Sequence, residues 1–164
     1  MQRKEPWDSS DYKANELTLS LFGLTEEVLE MTKMPKQVNN YLEAKVILKS
    51  QIGKSLISKG GLVAFISKNS AKEILSGKAV ENSFEKHAHL LAVVNIDRLF
   101  VNAIEPWLFN LKPEKANDSL DSVRRLYSIM NYEERLVIVK ITVKVFKNPK
   151  DRNRIYSIKV LDVL

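Results

Sequence analysis

Arg124-Arg125-Leu126-Tyr127-Ser128 is the segment whose residue types and spacing best suit phosphate chemistry. On an extended strand side chains alternate, so Arg125 and Tyr127 share one face and Arg124 shares the other with Ser128. Lys140, Thr142 and Lys144 line one face of the next strand-like run, and Arg154, Tyr156 and Ser157 open the last. Arginine grips a phosphate through two parallel N–H bonds, lysine neutralises it, and hydroxyls bond its oxygens. Arg124, Arg125, Lys140, Lys144, Arg154 and Tyr156 therefore form the candidate nucleic-acid-binding set. A metal-independent ribonuclease needs such a set plus an acid/base group that activates a ribose 2′-hydroxyl. On that alternative His87 is the acid/base candidate, because imidazole titrates near neutral pH. Arg125 and Lys140 would hold the phosphate, and Thr142 with Tyr127 would position it. The plainer alternative is a sheet with one apolar face on the helices and one cationic face in water.

Two other motifs carry less. Ile52-Gly53-Lys54-Ser55 resembles the tail of a phosphate-binding loop, but Leu48 stands where the first glycine is required, and a helix precedes it where a strand should. His87 and His89 are the only histidines. Two apart, they point in different directions on a helix, and no acidic cluster or cysteine completes a metal set. No metal or cofactor is expected.

The bulk composition limits the remaining classes. A chain of 164 residues fits a single domain over 1–164, and its 45% apolar content suffices for a core. The absence of cysteine excludes disulfides, thiolate metal sites and cysteine nucleophiles. No apolar run approaches the ~20 residues of a membrane helix, and the first residues lack the apolar stretch of a secretory signal. A cytoplasmic protein with no membrane partner is the expectation. The net charge of +6 is uneven: residues 122–164 hold ten Lys/Arg against four Asp/Glu, whereas residues 1–121 balance. That asymmetry points to an anionic partner, RNA or DNA.

These residues need elements to position them. Residues 1–15 read as a loose polar arm, 16–104 as a mainly helical part and 105–164 as an antiparallel sheet part. Residues 17–22 are ambiguous between strand and helix. Thr25 with Glu26 and Glu27 predicts a helix start, and Asn39 or Asn40 caps a second helix over 41–51, buried on a broad face and stopped at Gly53. Gly60-Gly61 marks a turn before an apolar strand over 62–66. Ser67 or Asn69 caps a short helix over 70–75, which Gly77 ends. From Phe84 to Ile104 apolar residues recur at three- and four-residue spacing, with a break at Asn95 or Asp97. Residues 107–111 could form a strand, and 112–121 read as a loop. From Ser122 the period becomes two, giving strands separated by a turn over 131–134 and a loop over 148–153. The expected fold is α+β, with N-terminal helices packed on a C-terminal antiparallel meander of about four strands.

The blocks Leu75-Ser76-Gly77-Lys78-Ala79-Val80, Ala88-His89-Leu90-Leu91-Ala92-Val93-Val94-Asn95-Ile96-Asp97 and Leu99-Phe100-Val101-Asn102-Ala103 follow one another in order. They continue as Arg125-Leu126-Tyr127-Ser128, Val139-Lys140-Ile141-Thr142-Val143-Lys144 and Arg154-Ile155-Tyr156-Ser157. This succession, over about 60% of the chain from residue 67 on, resembles a large polyvalent protein-associated domain of phages and conjugative elements. The first sixty residues carry none of the resemblance. It implies an accessory domain that travels with invading DNA. Several related phage domains resemble barnase/colicin/RelE-like ribonucleases, whose helices precede a four-stranded antiparallel sheet bearing His, Arg or Lys, Ser or Thr, and Tyr. One departure stands out: where that resemblance leads to a Trp-Ser-His-Pro-Asp type segment, this chain reads Trp107-Leu108-Phe109-Asn110-Leu111, without histidine. The leading expectation is an accessory nucleic-acid-binding domain. The alternatives are a metal-independent endoribonuclease of the barnase/RelE type and a protein-interaction module using Trp7, Trp107 and the polar arm.

Overall fold

Short polar side chains fix where the helices begin. Thr25 Oγ1 accepts from the Val28 N–H at 3.2 Å and opens α1 (Glu26–Met31). Asn40 Oδ1 accepts from the Glu43 N–H at 2.9 Å and opens α2 (Tyr41–Gln51). Ser67 starts α3 (Lys68–Ile74), and Ser76 starts α4 (Gly77–Asn82). Each such cap is worth about 1 kcal/mol. Gly77 therefore opens a helix, where the sequence suggested that it closes one: the Ser76 hydroxyl takes up the Ala79 N–H and the chain re-enters a helix. The apolar run over 84–104 splits into α5 (Lys86–Val94) and α6 (Ile96–Val101) at Asn95, as its polarity predicts.

The structure, a computed structural model, describes residues 23, 25–105, 120–148 and 150–162. The polar arm over 1–15, the ambiguous stretch 17–22, the strand expected over 107–111 and most of the loop expected over 112–121 lie outside them. No helix among the described residues is long and apolar enough to cross a membrane.

The sheet departs from the expected four-stranded meander. β1 (Ser55–Ile57), β2 (Val63–Phe65), β3 (Leu120–Tyr132), β4 (Arg135–Phe146) and β5 (Arg154–Asp162) form one mixed five-stranded sheet in the order β1-β2-β5-β4-β3. The antiparallel meander is only β3-β4-β5. The β1-β2 hairpin comes from the helical part of the chain and joins through a parallel contact between Phe65 and Arg154. Three-residue strands are too short to display a period of two, so β1 has no signature in the sequence. β3 begins at Leu120, inside the stretch expected to be a loop.

The turn between β3 and β4 is tighter than the residues over 131–134 suggest. Pairing continues to Tyr132 and Arg135, leaving Glu133 and Glu134 alone in the loop at φ of 49° and 65°. A two-residue turn follows the right-handed strand twist only when both residues are left-handed, which favours Asn and Gly.

Cross-strand partners point to the same side of a sheet. Leu126, Met130, Val137, Val139, Ile141, Val143, Ile155, Ile158 and Val160 thus form the core face against the helices. α5 lies inside this layer, buried from Ala88 through Val94. α6 packs against both β1 and β3, the two edge strands, so the sheet curls around the helical layer. α2 is not buried on a broad face as expected. Ala44, Leu48 and Gln51 face inward, but Leu42 is 71% and Val46 69% exposed. The inward stripe at spacing four and three needs no more of the helix.

Two buried polar side chains tie the layer together. Asn95 donates to the Lys36 and Leu91 carbonyls, both at 2.9 Å, and accepts from the Lys36 N–H at 3.1 Å. His89 Nε2 donates to the Ile74 carbonyl at 2.7 Å, which leaves Nδ1 to accept from the Ser83 hydroxyl at 2.7 Å. Ser83 Oγ in turn accepts from the Val160 N–H at 2.9 Å. One imidazole thereby links α3, α4, α5 and β5.

Glu133→Asn combined with Glu134→Gly matches the turn geometry and should raise stability by about 1 kcal/mol, read as a higher urea midpoint. Burial holds the His89 imidazole below its usual 6.5, with the Ile74 hydrogen bond opposing the shift. The unfolded chain therefore takes up this proton first as pH falls. The stability contribution is complete above about 6.5 and is lost as pH drops below that value. Urea titrations across this range should show the decline, and His89→Gln should lower the midpoint while flattening its pH dependence.

Candidate nucleic-acid interface

The registers decide which predicted residues meet. Arg125 stands opposite Thr142, and Thr142 opposite Ser157. Tyr127 stands opposite Lys140, and Lys140 opposite Lys159. Val123 stands opposite Lys144, and Lys144 opposite Arg154. Arg125, Tyr127, Lys140, Thr142, Lys144 and Arg154 thus share the outer face, away from the helices. Tyr156 is the extra residue of a bulge, because the β4-β5 register shifts between Thr142 and Val143. Its exposed ring lies beneath the Lys144 ammonium, 3.8 Å from Nζ to the ring centroid.

The outer face is not uniformly open. Ile129, Ile138 and Leu161, toward the β3-β4 turn, are buried. Tyr127 is fully buried, its hydroxyl sealed from solvent, and Thr142 is only 8% exposed. Lys140 and Lys159 are half-buried on the same face. The accessible part lies at the other end, where β4 finishes and β5 begins.

His87 and Arg124 lie elsewhere. His87 sits in the first turn of α5, on the helical side of the sheet. Its Nε2 donates to the Val38 carbonyl at 2.9 Å, and its Nδ1 lies 3.3 Å from the Tyr132 hydroxyl. Tyr132 donates to Glu85 Oε1 at 2.5 Å, and its own acidity is suppressed first by burial and then by Glu85 and Glu133. His87 also borders a pocket of about 290 Å³ with Lys33, Gln37, Asn131 and Glu133. His89 is enclosed in the helical layer. The structure therefore does not bring an imidazole to Arg125, Tyr127 and Thr142. Arg124 faces the helical side and forms two hydrogen bonds to Glu105, both 2.7 Å. That pairing strengthens its hold on its proton, and it consumes the guanidinium's fork.

The accessible end of the face holds residues that sequence reasoning did not single out. Arg152 stacks over Phe65, its guanidinium carbon 3.9 Å from the ring centroid. Arg152 Nη2 also donates to Ser55 Oγ at 2.5 Å and to the Gly53 carbonyl at 3.3 Å, which fixes its plane. Arg154 stacks over Phe146 at 4.8 Å. Phe65 arrives from β2, some ninety residues earlier in the chain, through its pairing with Arg154. Of this group the sequence singles out Arg154 alone, and the alternation along 136–147 places Phe146 on the face of Lys144. Arg152 lay in a segment read as a loop.

Three rings and four cations thus gather at one end of one face: Phe65, Phe146 and Tyr156 with Arg125, Lys144, Arg152 and Arg154. None of these four cations pairs with a carboxylate among the described residues. Beside them a cavity of about 260 Å³ opens between Phe65 and Phe146. No group of His, Asp and Glu that could hold a metal ion occurs among the described residues.

No curated protein and no solved structure matches this chain. A family model, large polyvalent protein-associated domain 3, matches residues 33–156. The match begins in the turn after α1 and reaches well ahead of residue 67, where the resemblance in the sequence begins. It spans five of the six helices, strands β1 to β4 with the hairpin that extends the sheet, and the first residues of β5. The chain therefore belongs to the large polyvalent protein-associated domain 3 family.

Proposed function

We propose that this domain, of a family associated with phages and mobile elements, binds single-stranded nucleic acid on the outer face of its sheet. The observation that carries the proposal is the gathering of Arg125, Lys144, Arg152 and Arg154 with three aromatic rings at one accessible end. Cations without carboxylate partners gain most from phosphate, because binding releases the counterions condensed on the nucleic acid. Aromatic rings add stacking with unpaired bases, worth about 1–3 kcal/mol per base, which a duplex conceals. Arginine held flat on a ring offers a second stacking plane and keeps N–H groups for phosphate.

Binding is favoured over hydrolysis. Both histidines of the chain lie on the helical side, so the endoribonuclease alternative lacks the imidazole it needs beside the phosphate. Recognition by charge and stacking requires no such group.

Anisotropy titrations with labelled single-stranded RNA and DNA of about ten nucleotides test the proposal. Affinity should fall with added salt, with a log–log slope of about −3 for four phosphate contacts on a single strand. Arg154→Ala should weaken binding and make the slope shallower by about 0.7. Phe146→Ala should weaken binding about tenfold without changing the slope. Arg124→Ala, engaged with Glu105 on the other side, should alter affinity less than about twofold while lowering stability by about 1 kcal/mol. No binding of either strand at low salt would overturn the proposal.

A further inference from the structure

The cavity between Phe65 and Phe146 has walls of unequal chemistry. The two rings and the guanidinium of Arg152 are flat and apolar or cationic, whereas Asp151 and Asn153 bring acceptors. Arg152 is already committed to Ser55 Oγ and the Gly53 carbonyl. Asn153 Nδ2 donates to the Val63 carbonyl at 3.0 Å, leaving its side-chain oxygen as an acceptor. The Asp151 carboxylate is exposed and forms no hydrogen bond or ion pair among the described residues. A carboxylate only accepts hydrogen bonds. In a surface otherwise built of cations it works against phosphate, so it belongs to the recognition of another part of a nucleotide.

We propose that this cavity is a base-reading pocket that selects guanine through the Asp151 carboxylate. The inference rests on the outer face binding single-stranded nucleic acid. Guanine presents two adjacent donors, N1–H and the 2-amino group, which match the two oxygens of a carboxylate. Adenine and cytosine present one amino group beside a ring acceptor. Uracil and thymine present one N–H between two carbonyls, which a carboxylate repels. Single-stranded recognition leaves these edges open, and aromatic or guanidinium planes hold the base by stacking. Arg154, stacked on the outer ring of the pocket, stands where it can meet the adjoining phosphate.

The test compares labelled oligoribonucleotides of about six residues, one all uridine and one with a single central guanosine. The guanosine oligonucleotide should bind roughly tenfold more tightly, the discrimination of one bidentate pair. Inosine, which lacks the 2-amino group, should lose most of that advantage. Asp151→Asn should bring the ratio near one, with the all-uridine oligonucleotide bound at least as tightly as by the native protein because a charge that repels phosphate is removed. Asp151 is exposed, so this substitution leaves the core untouched. Equal binding of both oligonucleotides by the native protein, or a preference that survives Asp151→Asn, overturns the pocket and leaves the binding face standing. Failure of both oligonucleotides to bind overturns the face itself.

Discussion

Strand β4 is paired along both edges, with β3 on one side and β5 on the other, and its register fixes the chemistry of each face. Val137, Val139, Ile141 and Val143 are buried under the helices, whereas Lys140 and Lys144 alternate with them. A slip of one residue would exchange the two sets. It would drive lysines into the core, where an uncompensated charge costs several kcal/mol, and expose the valines. The gathering of positive charge on the outer face is thus a consequence of core burial on the other. The same constraint sends Arg124 to the helical side, where Glu105 completes it.

Within that frame, two local irregularities shape the accessible end. The bulge in β5 inserts Tyr156 and turns its ring under Lys144. The short β1-β2 hairpin extends the sheet beyond β5 and supplies Phe65 and Ser55, both of which engage Arg152. Arg152 lies between strands in sequence, yet it bonds to the turn around Gly53 and stacks on β2. The cation–aromatic pairs are therefore built across strands: Lys144–Tyr156 and Arg154–Phe146 span β4 and β5, whereas Arg152–Phe65 depends on the parallel contact between Phe65 and Arg154. The helical side is stabilised differently, by two buried side chains, His89 and Asn95, whose polar atoms are all hydrogen-bonded. His89 and Asn95 each join segments distant in the chain, and burial favours the neutral ring of His89 against the opposing hydrogen bond to Ile74.

Much of the architecture was legible in the sequence because its signals are local. Thr25, Asn40 and Ser67 marked helix starts through the orphan N–H groups they satisfy. Asn95 marked a break, and the alternation from Val123 through Val145 gave both the strands and the faces of their side chains. The errors arose where local chemistry is ambiguous. Gly77 suits a helix end as well as the first turn after a serine cap, and the apolar residues of α2 do not reveal that Leu42 and Val46 face outward.

The sequence by itself determined the cationic face of the meander, because a period of two is a property of the strand and needs no partner. It also carried the family, through ordered blocks along the chain. Only the tertiary structure decided that His87 lies behind the sheet and that Tyr127 is sealed. It alone placed Phe65 and Arg152 beside Phe146 and Arg154. Those outcomes depend on which strand pairs with which and on what covers each face. Such long-range contacts are chosen by the packing of the whole core, and no window of neighbouring residues encodes them.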